Sequence, residues 1–223
     1  MVKRFDRNLL PASPNLEFEK MLWGDGVQLV AGVDEAGRGA LAGPVAAAAL
    51  ILPVEASLCQ KLPGVRDSKQ MTPDQREYWA AQLRSTAVAY GIGFASQREI
   101  DDMGILPATH LAVRRALVGL PLSPQHLLLD YLELPGCMLP QTALVKGDAR
   151  CLSIAGASIL AKTARDEVMR QLDKYYPGYG LAVHKGYGTL AHRKAIAIMG
   201  LSPIHRVSFR SKPILPPENI HNR

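Results

Sequence analysis

The sequence predicts a mixed α/β fold: a five-stranded sheet flanked by helices, with a helical extension at the C-terminal end. Three observations point there. Short apolar runs closed by glycines or acids recur at strand length, beginning within Val27 to Leu52, VQLVAGVDEAGRGALAGPVAAAALIL. Longer segments with helical periodicity separate the later runs, as in strands joined by crossover helices. No repeat, low-complexity tract or linker divides the 223 residues into comparable halves. At this length one domain with a small appendage is expected, and a core burying about 70% of the unfolded surface needs no covalent staple.

The elements follow in order. Residues 1–16 are polar and contain prolines, and read as a mobile arm; with a short helix over Asn15 to Trp23 they make an N-terminal segment, 1–26. The run ending at Asp34 and Glu35 reads as a buried strand, rich in Val and closed by glycines. The run after Pro44 is rich in Ala, which favours helix. Gly43-Pro44 at its start, Pro53 at its end and the short return make a paired strand the better reading. Residues 53–70 read as a loop ending in Asp67-Ser68-Lys69. Thr72-Pro73-Asp74 then opens a helix that runs to about Arg84, with a capping hydroxyl and a proline in the first turn. Thr86 to Ala95 is a third strand, with Val88, Tyr90 and Ile92 alternating.

Ile105 to Val118 reads as a helix with Leu106, His110, Val113 and Leu117 on one face, where His110 is a core histidine rather than a ligand. Leu127 to Leu129 is a short apolar strand ending at Asp130, and Thr142 to Lys146 is another, leading to Gly147-Asp148. A long helix spans Ser153 to Tyr175 and a shorter one Leu190 to Met199. From Ser202 onward, prolines and basic residues suggest a loosely ordered tail, 202–223. The main domain is thus 27–201.

Composition sets bounds on function. A hydrophobic share of 48% and a charged share of 21% are those of an ordinary globular protein. The cysteines, Cys59, Cys137 and Cys151, are far apart, with no CxxC pair or His cluster, which argues against zinc and for a reducing compartment. Cys137 and Cys151 flank acidic positions without an activating base and read as structural. No apolar run reaches membrane-spanning length, and MVKRFDRNLLPASPN lacks the apolar core of a signal peptide; a cytoplasmic monomer with no membrane partner is expected. A net charge of +6, concentrated at the two ends, points toward a polyanion.

Two glycine readings fail. Gly37-x-Gly39 resembles a dinucleotide loop, but that fingerprint requires a following helix, and here Pro44 and another strand follow. No Gly-Lys-Ser/Thr closes a phosphate-binding loop. The acids are more informative. Asp34, Glu35, Asp130 and Asp148 each sit where an apolar strand ends, and strand ends along one sheet edge are where ligands gather. Brought together they would repel and so require cations, and oxygen-only ligands select Mg²⁺ or Mn²⁺. A pair of such ions can activate water and stabilise the leaving oxygen of an in-line phosphoryl displacement. Asp130 and Asp148 as mere turn and cap residues is the open alternative.

The chain resembles the ribonuclease HII family. The likeness is carried by GVDEAGRGALAGPV at 32–45, DSK at 67–69, LLLD at 127–130 and VKGD at 145–148. It continues through ASILAKTARD at 157–166, HKGYG at 184–188 and HRVSF at 205–209, so it runs in order from about Val30 to Phe209. The resemblance implies a ribonuclease H-like fold and a metal-dependent endonuclease. Its partners would be RNA/DNA hybrid and ribonucleotide-containing duplex DNA, cut on the 5′ side of the ribonucleotide to leave 3′-hydroxyl and 5′-phosphate ends. By matching position, Asp34, Glu35, Asp130 and Asp148 would bind the metal.

On the same resemblance, Gly37-Arg38-Gly39 would sense the 2′-hydroxyl through its backbone, the group that marks RNA against DNA; Arg38 pairing with a phosphate is the alternative. Tyr187 would stack on the sugar beside the ribonucleotide. Lys69, Lys146, Lys162 and Lys185 are candidate phosphate contacts, each with a solvated-surface alternative. The chain departs from the family at Tyr131, where glycine is usual, and at Met71, where leucine is. A bulky residue after Asp130 is expected to alter the turn behind the metal site. The lysine-bearing first loop and extra N-terminal domain of ribonuclease HIII are not seen. A non-cleaving hybrid-binding module and an integrase-type transferase remain the rival classes.

Overall fold

The computed structural model describes residues 10–209. The start of the predicted arm and the basic positions Lys3, Arg4, Arg7, Arg210, Lys212 and Arg223 lie outside them. Helix α1 (Glu17–Gly24) leads into β1 (Val30–Ala36), and β2 (Val45–Ile51) and β3 (Ala89–Ala95) continue it as an antiparallel meander. Strands β4 (His126–Asp130) and β5 (Gln141–Leu144) add in parallel on the other side of β1, so the sheet order is β3-β2-β1-β4-β5. The helices are α2 (Leu58–Lys61), α3 (Pro73–Thr86), α4 (Gln97–Met103), α5 (Ile105–Val118), α6 (Gly147–Arg150), α7 (Leu152–Tyr175), α8 (Leu181–His184) and α9 (Leu190–Met199). The mixed five-stranded sheet with flanking helices and a helical C-terminal region is as expected, and the Ala-rich run is a strand.

That run, β2, is buried at every position, because α7 covers one face of the sheet and α5 the other. Burial on both faces removes the alternation an exposed strand would show. Small residues set the helix distance. A methyl on Gly32 of β1 would stand 2.2 Å from the Ser153 carbonyl carbon of α7, and one on Gly93 of β3 would stand 2.2 Å from the Ala112 oxygen of α5. Leu50, Leu83, Leu152 and Ile159 fill the layer beneath α7, and Val33, Ile51, Val113 and Leu129 the layer beneath α5. Each such side chain contributes about 1.5–3 kcal/mol relative to leaving it in water.

Several segments differ from expectation. Residues 53–70, read as a loop, contain α2 and a 3-10 turn at Ser68–Gln70, capped by Asp67, whose Oδ1 accepts from the Lys69 N–H at 2.9 Å. Helix α4 was not expected, although Ser96 and Glu99 form the reciprocal capping box that announces such a start. The arm is docked by Asn15, which bridges to Cys151. Leu16 beside it is buried, and Glu19 is buried with its Oε1 accepting from the Ser153 N–H at 2.8 Å.

Residues 202–209 are packed, not loose. His205 and Arg206 are both buried, and Ile204 joins Ala42, Met169, Tyr179, Leu181 and Ile196 in a small third core.

Candidate active site

Strand register brings the acids together. Val33 of β1 faces Leu129 of β4, the last pair of that ladder, so Asp34 and Asp130, each the next residue, stand side by side where the two strands part. Asp130 pairs in turn with Leu144, the last residue of β5. The chain then folds back through Gly147, whose N–H donates to Asp130 Oδ1 at 2.7 Å, and α6 carries Asp148 in its first turn. One carboxylate oxygen from each of Asp34, Asp130 and Asp148 lies within 4.8 Å of the others. Glu35 stands apart from this trio. It lines the same cleft, but its Oε1 accepts from Arg38 Nη1 at 3.0 Å.

The electrostatics are those of crowded, partly dehydrated carboxylates. Burial, then Glu35, then Asp130 push Asp34 well above the ordinary carboxylate range, against hydrogen bonds from Ser158 and the Glu35 N–H. Burial and Asp148 push Asp130 up to about 6. Burial opposes the charge of Lys69, but Asp148 outweighs it and lifts the ammonium above its ordinary range; Lys69 Nζ donates to Asp148 Oδ2 at 3.1 Å. Among the described residues no ion pair reaches Asp34 or Asp130. Three oxygen donors, of which Lys69 pairs only with Asp148, fit a hard divalent cation.

Asp34, Glu35 and Asp130 open into a cleft of about 300 Å³, lined also by Gly37, Arg38, Gly39, Ser68, Lys69, Ser158, Lys162 and Tyr187. Gly37 takes φ +93°, and an added Cβ would stand 1.9 Å from Arg165 Nε, so the position needs glycine twice over. Lys162 is held by Asp166 one helical turn on. Lys185 bonds to the Ala182 carbonyl and Lys146 is exposed; neither lines this cleft. Tyr131 adopts φ +65°, the conformation for which glycine is the usual residue, and the turn leaves Asp130 in the trio.

Four residues of this region carried no role in the sequence. Ser158 bonds Asp34, and its Oγ lies 2.9 Å from Ser68 Oγ. Arg165 and Arg206 are buried beneath the glycine loop, although Arg206 was counted with a basic tail. All four fall inside the blocks that carried the resemblance, which was the available signal.

Residues 31–212 match the family model described as Ribonuclease HII. Ribonuclease HII of Roseiflexus castenholzii is 50% identical over 210 residues, 94% of this chain and 94% of that one. The crystal structure of ribonuclease H2 from Pyrococcus horikoshii OT3 superposes with a TM-score of 0.66 at 29% identity, over 82% of this chain and 94% of that one. Bst-RNase HIII in complex with Mn²⁺ shares the fold, with a TM-score of 0.62 at 22% identity over 83% of this chain and 68% of that one.

Sheet order, strand-end acids and these likenesses together define a ribonuclease H-type hydrolase. Within that class the relatives at half identity over nearly the whole length decide the branch. The chain belongs to the ribonuclease HII family.

Proposed function

We propose that this protein hydrolyses the phosphodiester on the 5′ side of a ribonucleotide, in RNA/DNA hybrid or in duplex DNA holding single ribonucleotides, leaving 3′-hydroxyl and 5′-phosphate ends. One observation carries the reading: three carboxylates lie within 4.8 Å of one another, and two of them, Asp34 and Asp130, line a cleft whose wall is the Gly37-Arg38-Gly39 loop and Tyr187. Asp34, Asp130 and Asp148, with Glu35 from the same wall, would hold Mg²⁺ or Mn²⁺; the neighbour solved with Mn²⁺ supports that class of ion. Such ions supply an activated water and charge stabilisation at the leaving oxygen.

The chain's own groups do the rest. The loop backbone meets the ribose 2′-hydroxyl, with glycine allowing close approach. Tyr187 packs on the neighbouring sugar, and Lys69 and Lys162 face the phosphates. Lys146 and Lys185, outside the cleft, are the weaker candidates and would meet only more distant phosphates. Among the described residues no helix is long and apolar enough to cross a membrane, and we read the protein as a cytoplasmic monomer.

The test compares a duplex carrying one ribonucleotide with its all-DNA twin, in Mg²⁺ and in Mn²⁺. Cleavage of the first alone, 5′ to the ribonucleotide, is expected. Retention of both without product would favour a binding module, and strand joining regardless of the 2′-hydroxyl an integrase-type transferase.

A further inference from the structure

Beneath the glycine loop lie two arginines that, among the described residues, form no direct salt bridge, Asp101 and Asp166 acting on their charges only from farther off. Arg165 of α7 is fully buried and Arg206 is 2% exposed. Arg165 Nε donates to the Pro44 carbonyl at 2.8 Å, Nη1 to Lys185 at 2.9 Å and Nη2 to Ala42 at 3.1 Å. Arg206 Nε donates to the Gly43 carbonyl at 3.0 Å, Nη1 to Arg38 at 2.9 Å and Nη2 to Gly37 at 2.8 Å. Ion pairs among the described residues run elsewhere, to Lys69, Lys162 and Arg76 near the cleft. Burying a guanidinium without a direct ion pair is costly, and apolar residues would fill the space more cheaply. Carbonyl alignment is what the two side chains provide in return.

The alignment has a direction. All peptides here are trans, and in a planar trans peptide the C=O and the following N–H point opposite ways. Arg206 draws the carbonyls of Gly37 and Arg38 inward, so the N–H groups of Arg38 and Gly39 are turned the other way. Among the described residues neither N–H donates to a protein atom, and Gly37, Arg38 and Gly39 line the cleft beside the acids. Arg165 ties the same loop to the tyrosine turn: it bonds the Lys185 carbonyl, and its Cζ lies 5.4 Å from the centre of the Tyr187 ring.

We propose that Arg206, seconded by Arg165, is the positioning residue for ribose discrimination: its fork sets the two loop N–H groups at the one distance from the acids where a 2′-hydroxyl can meet them. The inference rests on the reading of the glycine loop as the hydroxyl sensor. Arginine is needed because a lysine keeps the charge but has no planar fork to hold two neighbouring carbonyls in fixed directions.

The experiment is fluorescence anisotropy with Arg206→Lys and wild type, on the single-ribonucleotide duplex and on its all-DNA twin, with Ca²⁺ in place of Mg²⁺ so that bound duplex persists. Thermal melting checks that the variant is folded. The ratio of the two dissociation constants should fall by about 5–100-fold, the scale of losing two hydrogen bonds to the hydroxyl, through weaker binding of the ribonucleotide duplex alone. Equal weakening on both duplexes, or an unchanged ratio, overturns the inference while leaving the loop reading intact. A wild-type ratio of one sinks the loop reading and this inference with it. Should Arg206→Lys not fold, Asp101→Ala takes its place, since Asp101 anchors the segment from outside by accepting from the N–H groups of Val207 at 2.9 Å and Ser208 at 2.8 Å. A folded Asp101→Ala must then lose part of the ratio, and a wild-type ratio in it overturns the inference.

Discussion

Asp34 and Asp130 stand beside each other because the parallel pairing of β1 with β4 ends at Val33–Leu129, each acid being the residue after that pair. The sheet that builds the site therefore also forces like charges together in a partly dehydrated place. Function and stability pull against each other at these positions.

That tension gives a pH-dependent prediction. Asp130 is pushed up to about 6 from an ordinary 3.8, so the folded state prefers its protonated form. The penalty is absent below pH 3.8, grows as pH rises and is complete above about 6. At about 1.4 kcal/mol per pH unit crossed, it reaches at most about 3 kcal/mol, less for a side chain that water partly reaches. In EDTA, Asp130→Asn should melt about 3–8 °C above wild type at pH 8 and level with it near pH 3.8. Adding Mg²⁺ should raise the wild type and leave the variant nearly unmoved. The same substitution, like Asp34→Asn, should reduce cleavage by about 100-fold or more. A variant that melts below wild type at pH 8 would contradict the crowding described here.

Tyr131 offers a second test. Its φ of +65° costs a side-chain-bearing residue about 1–2 kcal/mol, which glycine avoids, while glycine's extra freedom in the unfolded chain returns about 0.5–1 kcal/mol. The ring is 67% exposed, so little packing is lost with it. Tyr131→Gly should thus be neutral or stabilising, and more stable than Tyr131→Ala in urea denaturation. If the alanine variant is as stable as the glycine one, the turn is unstrained.

How much of this was legible in the sequence depended on the range of the physics involved. Strand-length apolar runs ending in acids located β1 and β4, because burial on both faces leaves a continuous apolar signature. Strand β5, Gln141–Leu144, is half-buried and polar at its start, and the expected run of Thr142 to Lys146 met it only in part. The convergence of Asp34 with Asp130, 96 positions apart, follows from parallel pairing, which periodicity cannot express. Short helices such as α4 and α6 escaped because they hold too few residues for a periodic pattern. Arg206 was misjudged for a different reason. A basic residue near a Pro-rich end reads as solvated, and only tertiary contact reveals six carbonyls waiting for two guanidiniums.

Gly32 makes the dependence of the site on helix–sheet packing measurable. A methyl there would meet the Ser153 backbone at 2.2 Å, and backbone cannot step aside as a side-chain tip can. Gly32→Ala should destabilise by about 3 kcal/mol or more, as overpacking against rigid structure does. It should also weaken cleavage, because α7 carries Ser158 and Lys162 to the cleft. Full activity in a variant of wild-type stability would mean that α7 can move outward without disturbing the acids.

Tyr187 tests the proposed substrate rather than the fold. Its ring lines the cleft with the glycine loop, backed by Arg165. A lone ribonucleotide presents a single junction between ribose and deoxyribose, so the contact a ring makes there has no substitute. A long RNA tract offers many registers, and the loop and acids can engage several of them in turn. Tyr187→Ala should therefore lower kcat/KM at a single ribonucleotide by about 10-fold or more, the scale of one lost aromatic contact, and lower it less on a long hybrid. Phe in its place should restore most of the loss, because the ring face and not the hydroxyl makes the contact. Equal losses on the two substrates would remove junction sensing from this residue and leave it as a wall of the cleft.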